Sequence, residues 1–97
     1  MLYSKDWKKL IKAPLELSGN YNIRYGVKVI CDAAFRYCDD IFTLSIPEGV
    51  TVIGFMAFYN CKFSQQTIND IIERFGNAPF VDVDSKLDSL LKRGIVF

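Results

Sequence analysis

Residues Val29–Cys38 read VICDAAFRYC, and residues Val52–Cys61 read VIGFMAFYNC. Aligned, the two segments share V-I, then A-F, then a terminal cysteine. Gly26 and Gly49 stand 23 positions apart, and the same offset links Val27 to Val50, Val29 to Val52, Ile30 to Ile53, Ala34 to Ala57, Phe35 to Phe58 and Cys38 to Cys61. Every matched position is apolar or small, whereas Lys28 against Thr51, Asp32 against Phe55 and Arg36 against Tyr59 differ freely. Conserved spacing of apolar positions between variable polar ones is the pattern of stacked coils, in which only the side chains facing a neighbouring coil are constrained. The predicted repeat core is therefore Val29, Ile30, Ala34, Phe35, Cys38, Val52, Ile53, Ala57, Phe58 and Cys61.

The period runs backwards as well. Ile46 maps to Ile23 and Leu44 to Tyr21, so NYNI at residues 20–23 is an earlier copy of TLSI at residues 43–46. Both alternate polar with apolar, as a half-buried strand does. Ile41, Leu44 and Ile46 are predicted to point inward, Thr43 and Ser45 outward, and Pro47 to end the strand by removing a backbone donor. Gly49 and Val50 turn the chain, Val52 and Ile53 form a second buried segment, and MAFYNC closes the coil in a tight helical turn. Forwards, Leu44 and Ile46 map onto Thr67 and Asn69, so the pattern ends at Phe63.

The flanks read differently. Residues 64–76, SQQTINDIIERFG, carry an N-cap at Ser64, an apolar face of Ile68, Ile71, Ile72 and Phe75, and a closing Gly76. A second helix is predicted from Asp82 or Asp84 through Leu87, Leu90 and Leu91 to Gly94. Two amphipathic helices where the repeat fails are expected to cover the last coil, with a partner-docking pair as the alternative. The chain is thus read as one domain over residues 1–97. It comprises a hairpin-containing first repeat (2–25), two turns of 23-residue period (26–63) and a helical C-terminal cap (64–97).

The segment IFTLSIPEGVTVIGFMAFYNC (41–61) resembles the repeat of the BspA-like leucine-rich repeat family. LYSKDWKKLIKAPLELSGNYNI (2–23) is similar to that family's longer, hairpin-containing repeat. Departures are Trp7 and Cys31, each where the family pattern has glycine, and Arg24 where it has proline. The resemblance implies an α+β leucine-rich-repeat solenoid, a right-handed coil of short strands with an N-terminal β-hairpin and a two-helix cap. It also implies protein–protein interaction, often in surface or secreted bacterial and protist proteins with adhesion roles.

Composition narrows function mainly by exclusion. The 97 residues are 51% hydrophobic and 14% aromatic, with twelve basic and eleven acidic residues and no histidine. A net charge of +1 provides no long phosphate-binding stripe. KDWKKLIK (5–12) reads as a solvated hairpin edge, so no nucleic-acid partner is expected. Without histidine no Ser-His or Cys-His pair exists; Asp39 and Asp40 are adjacent in a turn and diverge. The chain is expected to be no enzyme and to need no cofactor or metal. No run approaches the roughly 20 apolar residues of a membrane span, and residues 1–15 hold no secretory leader. Three cysteines, Cys31, Cys38 and Cys61, are an odd number that suits a reducing compartment. The expectation is a cytoplasmic protein, or a secreted one if a leader or further repeats lie upstream.

Cys38 and Cys61 fall on adjacent coils about 4.8 Å apart, close enough for a disulfide. Parallel side chains in a ladder favour buried free thiols instead. The candidate partner face is the exposed strand surface of Asn20, Asn22, Thr43 and Ser45, with Arg24 and Glu48 at its margin. The alternative is a structural piece that terminates a longer stack. An uncovered N-terminal edge, unless the hairpin folds over it, is expected to pair with another copy or with upstream sequence.

Overall fold

The protein, in a computed structural model, is described over residues 1–80; the predicted second helix lies outside them. The chain opens with a hairpin of β1 (Leu2–Tyr3) and β2 (Lys9–Lys12) and continues through β3 (Gly19–Asn22), β4 (Val29–Ile30), β5 (Ile41–Ser45) and β6 (Val52–Ile53). It then enters helix α1 (Gln65–Phe75) and a short 3₁₀ turn at Ala78–Phe80. Among the described residues the strands form two sheets. One has the order β1-β2-β4-β6, and the other pairs β3 with β5.

The 23-residue offset is the pairing register. Val29 lies opposite Val52 and Ile30 opposite Ile53 in parallel strands. Asn20, Tyr21 and Asn22 lie opposite Thr43, Leu44 and Ser45. One residue is skipped near Gly19, which pairs with Ile41, so Phe42 stands at the irregularity with 61% of its surface exposed. β2 pairs in parallel with β4 and antiparallel with β1. It is therefore an inner strand, and the hairpin's edge is β1. The hairpin thus covers the N-terminal edge of the larger sheet, while β3 ends the smaller one.

Between the sheets lie Leu10, Ile23, Val27, Ile30, Ala34, Phe35, Cys38, Ile41, Leu44, Val50, Ala57 and Phe58, all buried. Two expected core positions are corrected. Val52 is 52% exposed and Val29 only half-buried. Successive side chains in a strand point to opposite faces, so a two-residue V-I strand can bury only one of them. Ile30 takes the interior in one coil and Ile53, half-buried against the core, takes it in the next. Cys61 is likewise half-buried rather than enclosed.

The segment after each V-I strand is not helical. Residues 31–38 and 54–61 run as consecutive β-turns, with left-handed φ at Ala33 (56°), Met56 (58°), Tyr37 (63°) and Asn60 (61°). The two pairs again differ by 23 positions. An α-helix would direct its amides back along its own axis. Here alternate amides leave the turn: Ala33, Phe35 and Tyr37 donate to the carbonyls of Phe55, Ala57 and Tyr59 at 3.0, 2.7 and 2.9 Å. The intervening Ala34, Arg36 and Cys38 amides donate locally, to Cys31, Ala33 and Phe35. Inter-coil bonding of every second residue offsets the left-handed conformations, which cost a non-glycine residue about 1–2 kcal/mol each.

The aromatic stack extends past Phe63. Phe35 and Phe58 pack with centroids 5.6 Å apart at 44°, and Phe58 and Phe80 repeat that geometry at 5.6 Å and 44°. The Phe58 amide donates to Pro79 O at 2.8 Å, as the Phe35 amide does to Ala57 O. Ala78-Pro79-Phe80 therefore supplies a third rung of the phenylalanine ladder.

Helix α1 lies against β5. The Ser64 hydroxyl accepts from the Thr67 amide, and Gly76, at φ 78°, ends the helix. Thr67 and Ile71 are buried, Ile68 and Phe75 pack on the core, and Ile72, expected on that face, is 43% exposed. The outer edge of β5, where a further strand would pair, is taken by α1 and its lead-in. Ser64 N donates to Phe42 O, and the Arg74 guanidinium donates to Ile46 O at 2.8 Å and Pro47 O at 3.1 Å.

Candidate protein-binding face

The β3–β5 pair brings four of the six predicted face residues together. Residues alternate across the pleat. Tyr21 and Leu44 turn inward, which leaves Asn20 opposite Thr43 and Asn22 opposite Ser45 on the outer side. Asn20, Asn22 and Ser45 are exposed and Thr43 half-buried. The Thr43 hydroxyl donates to Asn20 Oδ1 at 2.6 Å, which holds the Asn20 amide so that its nitrogen faces away from Thr43. The result is a two-by-two polar grid with fixed spacing, rich in donors and acceptors and free of formal charge.

Arg24 and Glu48 are placed differently. Arg24 is drawn off the face: its guanidinium carbon lies 4.0 Å from the Trp7 ring centroid. Glu48 is exposed beyond Pro47, past the end of β5.

The strands, their 23-residue register and the stacked A-F positions together describe a repeat, and the family comparison agrees. Residues 17–91 match a family model described as "BspA type Leucine rich repeat region (6 copies)". The chain belongs to the BspA-type leucine-rich repeat family. No curated protein and no solved structure matches it. The match crosses Phe63, where the sequence pattern was expected to stop, in keeping with the third rung at Phe80.

Within this BspA-type repeat, of the two turn residues that stand where the family pattern has glycine, Cys31 has a local explanation and Trp7 keeps the backbone conformation of the glycine it replaces. A Cβ on Gly54 would fall on the carboxylate oxygen and backbone nitrogen of Asp32 and 2.7 Å from its Cα. Asp32 Oδ1 occupies that space to accept from the Phe55 amide at 2.9 Å. At Cys31 the preceding coil offers no such carboxylate. Lys12 stands there and reaches instead to Ala33 O at 3.1 Å. Trp7 adopts φ 63°, a conformation suited to glycine.

Sequence reasoning missed a shallow cleft of about 160 Å³ beside the grid, lined by Leu44, Ser45, Ile46, Asp70, Ile71 and Arg74. Its helix residues could not be linked to Ser45 from their sequence positions, because only packing brings α1 onto β5. Exposed Phe42 was missed too, since nothing in the alternation marks the skipped residue.

The cysteines are all unpaired. Cys38 Sγ donates to Pro14 O at 3.6 Å and Cys61 Sγ to Phe35 O at 3.0 Å, so each thiol bonds the backbone of an earlier coil. Burial pushes the Cys38 thiol up, and burial, with Cys38 nearby, pushes Cys61 to about 12. Both are therefore protonated donors at neutral pH and poor nucleophiles. Asp39 and Asp40 are exposed. Among the described residues no group of three or more His, Cys, Asp or Glu is arranged to hold a metal ion, and no helix is long and apolar enough to cross a membrane.

Proposed function

We propose that the chain is a non-enzymatic solenoid module that binds a protein partner through the Asn20–Asn22–Thr43–Ser45 grid. The observation that carries this reading is the pairing of two outward-facing polar rows on a parallel ladder, with Asn20 already oriented by Thr43. Such preorganisation lowers the entropy lost on binding. A specific interface takes roughly 800 Å² per partner, so the partner must also reach the neighbouring cleft and Phe42. Three unpaired thiols support placing the protein in a reducing compartment.

The test is a quadruple alanine variant at Asn20, Asn22, Thr43 and Ser45. Loss of partner capture with an unchanged melting temperature supports the reading; capture equal to the parent's rejects it.

A second reading is favoured by α1. On it the chain terminates a stack of repeats, because Ser64 binds Phe42 O on the outer edge of β5 and Arg74 binds Ile46 O and Pro47 O just beyond the strand, where a further strand would approach. On this reading the open edge of β3 takes strands of another copy or of preceding repeats. Light scattering at high concentration showing only monomer would count against self-association.

A further inference from the structure

A second surface stands apart from the strand face. At the tip of the β1–β2 hairpin, Trp7 is held in a left-handed conformation with 46% of its surface exposed. The Tyr3 ring lies 5.4 Å from it, and Arg24 stacks over it at 4.0 Å. The next residue, Tyr25, is 90% exposed. Lys5 and Lys8 are exposed in and beside the hairpin turn itself, whereas the Lys28 ammonium turns away to lie over Gly49 in the next coil. The turn also carries one exposed carboxylate, which is tied to the hairpin itself. Asp6 Oδ1 accepts from the Ser4 hydroxyl at 2.7 Å and the Lys8 amide at 3.0 Å.

Charge is segregated along the stack in the same sense. Residues 1–28 hold six Lys and Arg against two Asp and Glu, whereas residues 29–80 hold three against six. Glu48, one coil on from Tyr25 at the 23-residue offset, marks the boundary of the basic corner.

The corner protrudes and forms no cavity, which argues against a small-molecule ligand. Its cations are too few to track a phosphate backbone. Exposed Trp and Tyr, each apolar with one polar tip, beside Lys and Arg are the side chains that settle at the headgroup level of a bilayer. We infer that the Trp7–Arg24–Tyr25 corner, with Lys5 and Lys8, docks peripherally on an anionic phospholipid surface. Cations bring it to the membrane and the two rings enter the headgroup layer without spanning it.

Trp7 is the only tryptophan, so its emission reports on this corner directly. The protein is mixed with vesicles of phosphatidylcholine alone and of phosphatidylcholine with phosphatidylserine, at low and high salt, and binding is scored by emission shift and co-sedimentation. A blue shift and sedimentation with the serine lipid only, lost at high salt, are expected. Replacing Lys5 and Lys8 by alanine should weaken partition by about fivefold per cation. Trp7→Gly, whose backbone glycine adopts freely, should keep the fold by circular dichroism and sediment less. No shift with the anionic vesicles, equal binding to neutral ones, or full binding by Trp7→Gly overturns the inference. An equal shift with poly-glutamate or a single-stranded oligonucleotide also overturns it, in favour of an acidic macromolecular partner.

Discussion

Replacing Phe58 with alanine probes the centre of the stack. The side chain is fully buried, with Phe35, Phe63 and Phe80 at centroid distances of 5.6, 5.5 and 5.6 Å. Truncating a buried phenylalanine costs about 3–5 kcal/mol, the larger values arising where the surroundings cannot collapse into the cavity. Three rings anchored on three different segments are poorly placed to collapse, so the expected loss is in the upper half of that range. A domain of this length has a total stability of about 5–15 kcal/mol, and Phe58→Ala should remove about a quarter of it or more. Urea unfolding followed by circular dichroism measures the effect. With a slope of about 1–3 kcal/mol per molar, the midpoint should fall by about 2 M. Phe80→Ala gives the decisive comparison. Its ring is half-buried, so about 1–3 kcal/mol should be lost in the same single transition. A loss below about 1 kcal/mol for Phe58→Ala would refute the ladder as the source of stability. An unchanged midpoint for Phe80→Ala would refute the third rung.

Four further outcomes follow from the geometry. Gly54→Ala should destabilise by about 1–3 kcal/mol in thermal unfolding, because its Cβ meets backbone atoms of Asp32 as well as the side chain, and backbone cannot swing aside. Val52→Thr should change stability by less than about 0.5 kcal/mol, whereas Ile30→Thr, at a fully buried position, should lower the melting temperature markedly. Stability should fall as pH rises from 9 towards 12: the Cys61 thiol titrates near 9.0 when unfolded and near 12 when folded, so the protonated form is favoured by the fold and its contribution is complete only below pH 9. Cys61→Ala should flatten that slope in a pH series of unfolding curves without abolishing it, because burial raises Cys38 and Tyr21 in the same direction. Arg74→Met should cost about 1 kcal/mol by losing the bonds to Ile46 O and Pro47 O, and hydrogen exchange should show α1 opening more often.

The 97 letters contain the repeat, and with it more of the fold than composition suggests. A period of 23 written in apolar and small residues determines which residues stack, so the pairings of Val29 with Val52 and of Asn20–Asn22 with Thr43–Ser45 could be read before any coordinate. The caps of α1 at Ser64 and Gly76 were legible for the same reason: they are local chemistry. The polar grid followed from strand alternation alone.

Other features depended on groups distant in sequence. Stacking constrains a position without saying which way it faces, so Val52 shared the repeat yet points to solvent. The A-F turns look helical in composition, but their alternate amides are claimed by the next coil, and only the stacked structure supplies those acceptors. Phe80 escaped the pattern because Ala78-Pro79-Phe80 sits at an offset of 22 from Phe58 and lacks the preceding V-I strand. Arg24 left the predicted face for the Trp7 ring, and Arg74 closed the edge of β5 from 27 and 28 residues away. A sequence repeat specifies neighbours within the stack. Contacts made where the repeat breaks, at the hairpin and at the helix, are decided by whatever groups the folded ends leave unsatisfied, and those exist only in three dimensions.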